Sequence, residues 1–479
     1  MKTTRREFLE KSIAGAATLA AASCARGGPR EAAFRRSGPN DRLRMAVVGV
    51  RGRGAAHVST WLRMSDVEVA AVCDVDPSVA GGPIAEVEGA TGRKPAFVQD
   101  FRRILDDPSI DAVSVATPNH WHVLASYWAV EAGKDVYVEK PLSHNVWEGR
   151  RLASAARRRK RVVQTGTQSR SRENVREAIA FLRSGALGRI RYATGLCYRD
   201  RRSIGKKPDG SVPPGVDYDL WLGPAPERPF NPNRFHYEWH WNWAYGNGDI
   251  GNQGAHQMDL ARWGLGKDDL PTRVRSLGGR YGYDDDGETP NTQISVLDWG
   301  DARIVFEVRG LPTEGYRNNA VGVVFHCAEG SLVVGNLDTA AFDPEGKEIR
   351  RFGGGSDVDH FRNFVEAVKA RDLSLLTSDA EEGHLSAALS HLANVSWRLG
   401  TERPMTAEEP FGDAEEGNEA FRRFREHLAR NGVDPAKTPV RVGRTLAVDP
   451  ETERFAGDPE ANALLSRDYR PPFVVPAEA

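Results

Sequence analysis

His256 stands at the start of a helical pattern behind a glycine-rich loop, and a histidine so placed can hold or move a proton near neutral pH. The stretch from Gly246 to Trp263 carries Gly246, Gly248, Gly251 and Gly254 among Asn247, Asp249 and Asn252. His256 and Asp259 lie one turn apart and share a face of the helix, while Asn252 suits its N-cap. Just upstream, Trp239, His240, Trp241 and Trp243 form an aromatic cluster. Such rings offer flat faces to a sugar, and they equally suit a core or an interface. The second candidate is Lys140 in Glu139-Lys140-Pro141, which ends an apolar run. An ammonium there can stabilise an oxygen that gains negative charge. His236, Glu238 and His240 are also metal-ligand types. Their i, i+2, i+4 spacing is not a zinc-helix pattern, so no metal site is expected and a metal-dependent hydrolase is the distant alternative.

Something must deliver an electron acceptor to these two side chains. Arg44 to Gly49 reads as a buried strand, Gly49-Val50-Arg51-Gly52-Arg53-Gly54 as a tight turn, and the residues from Ala55 to Arg63 as a helix. This is a dinucleotide fingerprint in which Arg51 takes the middle glycine position and Gly52 supplies the close approach one residue later. Backbone amides there would meet a pyrophosphate at the helix N-terminus. Asp74 ends the next strand, where a carboxylate accepts from a ribose and repels a 2′-phosphate. NAD is therefore favoured, with NADP left open. Thr117-Pro118-Asn119-His120 and Glu139-Lys140-Pro141 end two further strands, and ligands bind outside the carboxyl ends of such strands. The expected cofactor-binding set is Gly49, Arg51, Gly52, Gly54, Asp74, Thr117, Pro118, Asn119, His120, Glu139 and Lys140.

The elements that must hold these residues follow from periodicity. Strands alternate with helices up to about Thr165, which predicts a doubly wound parallel sheet. Longer, alternating strands then run through Arg189–Tyr198, Arg273–Tyr281, Asn291–Trp299, Ala302–Arg309, Ala320–His326 and Ser331–Asn336. They predict an α+β domain with an open-faced, mostly antiparallel sheet. A long insertion from about Asp200 to Gly266 holds the aromatic cluster and His256, and an insertion of that length is usually functional. The expected division is a signal and linker over 1–41, a Rossmann NAD(P)-binding domain over 42–165, a substrate and oligomerisation domain over 166–400, and a polar C-terminal extension over 401–479.

Composition narrows the partners. A chain of 479 residues with a net charge of -1 gives no electrostatic case for nucleic acid. Cys73, Cys197 and Cys327 sit apart in strand-like runs and read as small buried hydrophobes. Thr4-Arg5-Arg6-Glu7-Phe8-Leu9, followed by a short apolar stretch to Ala22, is a twin-arginine signature. It predicts export of the folded protein by that machinery to the periplasm or beyond, with lipid anchoring at Cys24 an even alternative.

Ala116-Thr117-Pro118-Asn119-His120-Trp121-His122, Glu131-Ala132-Gly133-Lys134 and Glu139-Lys140-Pro141 together resemble the Gfo/Idh/MocA superfamily, over about residues 43 to 400. Asp217 to Pro224 and the His256 stretch resemble an exported subgroup. The resemblance implies that Lys140 contacts the reacting hydroxyl and His256 is its acid/base. The Asp that family members usually carry four residues before the histidine is Asn252 here. It further implies an oxidoreductase acting on a hydroxyl of a sugar or sugar derivative, with Asn252, Trp239, His240 and Trp241 as candidate substrate contacts. Outside the cytoplasm a nicotinamide pool is not expected, so the cofactor would travel tightly held and be restored in each cycle. The alternative is a redox-neutral NAD-dependent glycosidase, in which transient oxidation of a ring hydroxyl acidifies the neighbouring C–H and permits elimination. A homo-oligomer is expected through the open sheet face.

Overall fold

The computed structural model describes residues 42–336, 338–406 and 409–477. The twin-arginine signature, the apolar stretch behind it and Cys24 lie outside the described residues. Two sheets organise the rest. The first has six parallel strands in the order β3-β2-β1-β4-β5-β6. These are β1 (Leu43–Val48), β2 (Val67–Cys73), β3 (Ala96–Val98), β4 (Ala112–Val115), β5 (Asp135–Glu139) and β6 (Val163–Gly166). Helices α1 (Arg53–Trp61), α2 (Gly81–Thr91), α3 (Asn119–Glu131) and α4 (Val146–Arg159) belong to this half. The strand order reverses direction between β1 and β4, and a cleft forms there because the crossovers leave to opposite faces. Strand β6 was not anticipated. Its four residues are too few to display a period.

Helix α3 begins at Asn119, with Pro118 in front of it. It is buried on almost every side, His120, Trp121, His122 and Val123 included. One flank packs on the parallel sheet. The other is closed by the insertion, where a Cβ on Gly223 would meet the Trp121 ring at 2.3 Å, so only glycine fits.

The second sheet has twelve strands and is mostly antiparallel, as expected, with a parallel pair inside it. Strand β7 (Ile190–Tyr198) pairs in parallel with β10 (Arg303–Arg309), and in antiparallel with β11 (Val321–Cys327). β8 (Arg273–Gly279) and β9 (Thr292–Asp298) continue it on one side, and β12 (Gly330–Gly335) on the other. The second half also carries α5 (Glu173–Arg183), α6 (Gly254–Leu265), α7 (Asp357–Ala370) and α8 (Ala380–Arg398). The apolar faces of α5, α6 and α8 and one face of the second sheet make the largest core, which includes Met258, Leu260, Phe306, Phe325 and Leu389, whereas α7 lays Phe361, Phe364 and Val365 against Met45, Val47 and Tyr137 of the parallel sheet.

The face expected to stand open is covered in part by the chain itself. Helix α9 (Glu415–Arg430) lays Ala420, Phe421, Phe424 and Leu428 on Leu277, Ile294, Val296 and Val305. The segment read as a polar extension therefore contributes core. It also adds strands: Pro439–Val442 and Leu446–Asp449 both pair with β8. Charged residues on the outer side of α9 mask this in composition, because only one helical face in three or four positions is buried.

Candidate active site in the cleft between the sheets

The glycine turn is fixed by contact. Gly49 has φ +78°, and a Cβ there would lie 2.8 Å from the Ala116 carbonyl oxygen at the end of β4. A Cβ on Gly54 would sit 1.6 Å from the Gly49 carbonyl oxygen, so α1 can pack this close only with glycine. Gly52 has φ +56°, and a Cβ there would meet no protein atom within 4 Å. The left-handed backbone, not crowding by the protein, is what asks for glycine at that point. Arg51 is exposed and lines the cleft.

Asp74 sits at the end of β2. One carboxylate oxygen accepts from the Val50 amide at 2.8 Å and the other from the Asp76 amide at 3.0 Å, which leaves each a lone pair. Burial raises its pKa to about 6, against the pull of those two amides. Thr117 lines the cleft beside Gly49, and its Oγ1 is buried with no protein partner. A dinucleotide cradle, an under-used carboxylate and an orphaned hydroxyl fit NAD. A ribose hydroxyl donates more strongly to the Asp74 carboxylate than to the neutral acid, so binding is opposed by the proton that this group retains below about pH 6. NAD affinity is therefore expected to fall by up to about tenfold per unit as pH drops below that value. Calorimetric titration from about pH 7.5 down to about pH 5 measures this, and a flat affinity would refute it.

The motif residues then diverge. Asn119 lines the cleft and donates from Nδ2 to Asn247 Oδ1 at 3.0 Å, tying the strand end to the loop ahead of His256. Pro118 also lines the cleft. His120 does not. As the second residue of α3 it turns outward, with Nε2 3.0 Å from the Trp221 carbonyl oxygen and its ring against Tyr245. It belongs to the seat of the insertion, a correction to its expected place against the cofactor. Glu139 lines the cleft but is taken up by protein. Its Oε1 accepts from Arg53 Nε at 2.7 Å and Gln168 Nε2 at 3.0 Å, and lies 3.1 Å from His57 Nε2. Burial alone would raise the Glu139 pKa, but Arg53 and His57 hold it well below the usual carboxylate range.

Lys140 follows at the floor of the same cleft, which has a volume of about 610 Å³. Its Nζ donates to the Asn252 carbonyl oxygen at 3.2 Å and lies 3.3 Å from Asn252 Oδ1. Burial lowers its pKa, partly offset by Glu139. Asn252 is thus a lysine holder rather than the cap of α6, which begins two residues later with Gln253 in front of it. His256 lies in the first turn of α6 and faces the cleft with Gln253 and Gln257. Burial and then the Lys140 ammonium lower its pKa to about 3, so the ring is neutral at any ordinary pH.

Neither neighbouring carboxylate serves His256. Asp259 is 1% exposed and bonded to Arg170 Nε at 2.9 Å and Ser386 Oγ at 2.7 Å. Asp249 is held by Arg201 at 2.7 and 3.0 Å. The aromatic cluster also splits. Trp239 and His240 line the cleft, stacked at 3.6 Å between ring centroids. Trp241 turns away, donating to Glu238 with the Arg201 guanidinium 5.3 Å above it. Trp243 packs at 6.0 Å on Trp397. His236 pairs with Asp76 at 3.1 Å, so the three side chains of the metal alternative each face elsewhere. No group of three or more His, Cys, Asp or Glu side chains among the described residues could hold a metal ion.

Sequence reasoning missed Tyr237, which is 45% exposed and lines the cleft beside His240. It missed Arg172, whose Nε donates to Asp357 at 2.9 Å, with both residues on the cleft wall. Arg199 and Asn336 complete that side, from the end of β7 and the residue after β12. These contacts join distant segments, and no local pattern announces them.

Residues 43–167 match the family model "Oxidoreductase family, NAD-binding Rossmann fold", and residues 189–289 match "Oxidoreductase family, C-terminal alpha/beta domain". These two stretches carry the paired domains of the Gfo/Idh/MocA oxidoreductase family. The first of them is the family's NAD-binding domain, and the cleft described above lies at that domain's switch point. Among curated relatives, a glycosyl hydrolase family 109 protein of Shewanella pealeana is 31% identical over 175 residues, which is 33% of this chain and 38% of the relative. The levoglucosan dehydrogenase of Pseudarthrobacter phenanthrenivorans is 27% identical over 252 residues, covering 49% of this chain and 57% of the relative. The chain thus spans less than two thirds of the length of either. Among solved structures, levoglucosan dehydrogenase in complex with NADH and levoglucosan has a TM-score of 0.57 at 19% identity, covering 73% of this chain and 95% of that one. The WlbA dehydrogenase from Bordetella pertussis, in complex with NADH and UDP-GlcNAcA, has a TM-score of 0.53 at 20% identity, covering 73% and 94%. These likenesses speak for the fold.

Proposed function

We propose that the protein is an NAD-dependent oxidoreductase acting on a hydroxyl of a sugar or sugar derivative. The observation that carries this is the meeting of a half-buried lysine and a neutral histidine, Lys140 and His256, in one cleft with the dinucleotide cradle. Bound NAD would supply the hydride acceptor, held by Gly49 to Gly54, Asp74, Thr117 and Asn119. Lys140 stabilises the substrate oxygen as it loses its proton, and His256 takes that proton. A pKa of about 3 makes His256 a weak acceptor by itself. The same ammonium that disfavours the imidazolium also favours the alkoxide, so the two effects of Lys140 act in opposite directions on one transfer. Tyr237, Trp239 and His240 offer the aromatic wall that a sugar ring would use.

Asn252 fits this reading. An amide oxygen accepts from Lys140 without adding a negative charge that would raise its pKa. Asn252→Asp is expected to raise the Lys140 pKa, because the carboxylate favours the ammonium. If the reaction needs that ammonium, the alkaline limb of kcat/KM moves to higher pH in the variant. A limb that stays in place, with activity retained, would separate Lys140 from proton chemistry.

A second reading is favoured by the glycosyl hydrolase family 109 relative. In it the same two residues drive transient oxidation and elimination, with no net redox change. A panel of free sugars and chromogenic glycosides, read for NADH absorbance and aglycone release, tests both. NADH formation from a free sugar supports the dehydrogenase, and aglycone release without net NADH supports the glycosidase. Silence on both sinks the proposal. The twin-arginine signature supports export of the folded protein with its cofactor tightly held. Fusing residues 1–41 to a reporter that needs folded export tests this, and retention of the reporter in the cytoplasm refutes it. A homo-oligomer is proposed through the part of the second sheet that α9 leaves bare. Light scattering reads it, and a monomeric mass argues against it.

A further inference from the structure

The cleft continues past Asp74, where its wall is made by Asp100, Arg102, Ala125, Trp128 and Phe473. Phe473 comes from the far end of the chain. Its ring is 1% exposed and packs against Trp121 at 5.6 Å and Trp128 at 6.4 Å. The Arg102 guanidinium lies 5.9 Å from its centroid and that of Arg470 4.8 Å. The tail around it is anchored along its length. Arg467 Nη1 donates to the Ala244 carbonyl oxygen at 2.9 Å, and the Tyr469 hydroxyl donates to buried Glu148 at 2.9 Å. Arg470 Nε donates to the Gly223 carbonyl oxygen at 3.1 Å and its Nη2 to that of Asp219 at 2.7 Å. Residues 465–475 therefore strap the insertion to α3 and α4 and end inside the cleft wall.

A dinucleotide whose ribose reaches Asp74 carries its adenine beyond that residue. Flat aromatic faces and guanidinium planes are the groups that hold a base without reading its sequence. Trp128 is half-buried, Arg102 is exposed, and both line this end of the cleft. We propose that the C-terminal tail completes an adenine subsite, in which Trp128 and Arg102 face the base and Phe473 is the positioning residue that fixes both. The proposal rests on NAD binding in this cleft and gives a physical basis for a tightly held cofactor. It also assigns a use to a segment that composition presents as a polar appendage.

The test compares NADH with reduced nicotinamide mononucleotide, which lacks the adenosine half, on the full-length protein. Dissociation constants are read by nicotinamide fluorescence for wild type, Phe473→Ala and Trp128→Leu. Both variants are expected to weaken NADH by about tenfold, Trp128→Leu by lost stacking and Phe473→Ala by releasing Trp128 and Arg102, while the mononucleotide binds as to wild type. Variants that leave NADH affinity unchanged overturn the subsite, and so do variants that weaken both ligands equally, since that marks a general loss of structure. Wild-type protein that binds neither ligand would instead remove the dinucleotide reading on which the subsite stands.

Discussion

His256→Asn is expected to cut turnover by roughly a hundred- to ten-thousandfold while leaving NADH affinity within about twofold of wild type. The loss is this large because nothing else in the cleft can take the proton. Of the other imidazoles lining the cleft, His122 has both ring nitrogens against carbonyl oxygens, of Pro141 at 2.7 Å and Thr117 at 2.8 Å, and His236 pairs with Asp76. His240 has its Nδ1 2.5 Å from the Tyr237 carbonyl oxygen and its ring stacked on Trp239. Burial holds its pKa at about 3 as well, so it has the wrong freedom rather than the wrong charge. Asp249 and Asp259 are both committed to arginines. Steady-state kinetics on a sugar identified by the panel, with NADH affinity measured separately, check the prediction. Turnover of the variant within about threefold of wild type would remove His256 from the chemistry and leave Lys140 with water as the proton acceptor.

The cradle was legible because a dinucleotide site is built from local signals. Strand β1, the turn from Gly49 to Gly54, α1 and the carboxylate at the end of β2 all lie within a few dozen residues, and each has its own period or residue type. Lys140 was legible for the same reason, as the residue that follows a buried strand. The substrate side was legible only as a place. Its wall gathers Arg172, Arg199, Asn336 and Asp357 from four separate elements, and Asn252 reaches Lys140 across more than a hundred residues of chain. Such contacts are decided by how the two sheets pack. His120 shows the converse error. A residue adjacent in sequence to cleft residues was assigned to the cleft, but α3 starts at Asn119, and helical periodicity rotates position 120 toward the insertion. The C-terminal segment misled for a compositional reason, since α9 buries Phe421, Phe424 and Leu428 behind a charged outer face.

Asp259 separates the two kinds of importance that a polar residue near an active site can have. It shares a helical face with His256 and, by spacing alone, could orient it. The structure gives it another task. Arg170 is 5% exposed and bonds to Asp259 and to Glu382, while Arg262, 1% exposed, also pairs with Glu382. Ser386 donates to Asp259 from α8. This network pins α6 to α8 and to the segment ahead of α5, and so sets the rotation of the helix that carries His256. Removing one partner of a buried pair leaves the other charge uncompensated, at a cost of about 3–5 kcal/mol. Glu382 remains to share the Arg170 charge and is itself partly exposed, so Asp259→Asn is expected near the lower end, about 3 kcal/mol, read as a lowered urea midpoint. The folded variant should keep NADH affinity and most of its turnover, because no contact from Asp259 to His256 is lost. A variant with wild-type stability and a His256-like loss of turnover would reverse the assignment and make Asp259 the partner that Asn252 does not provide.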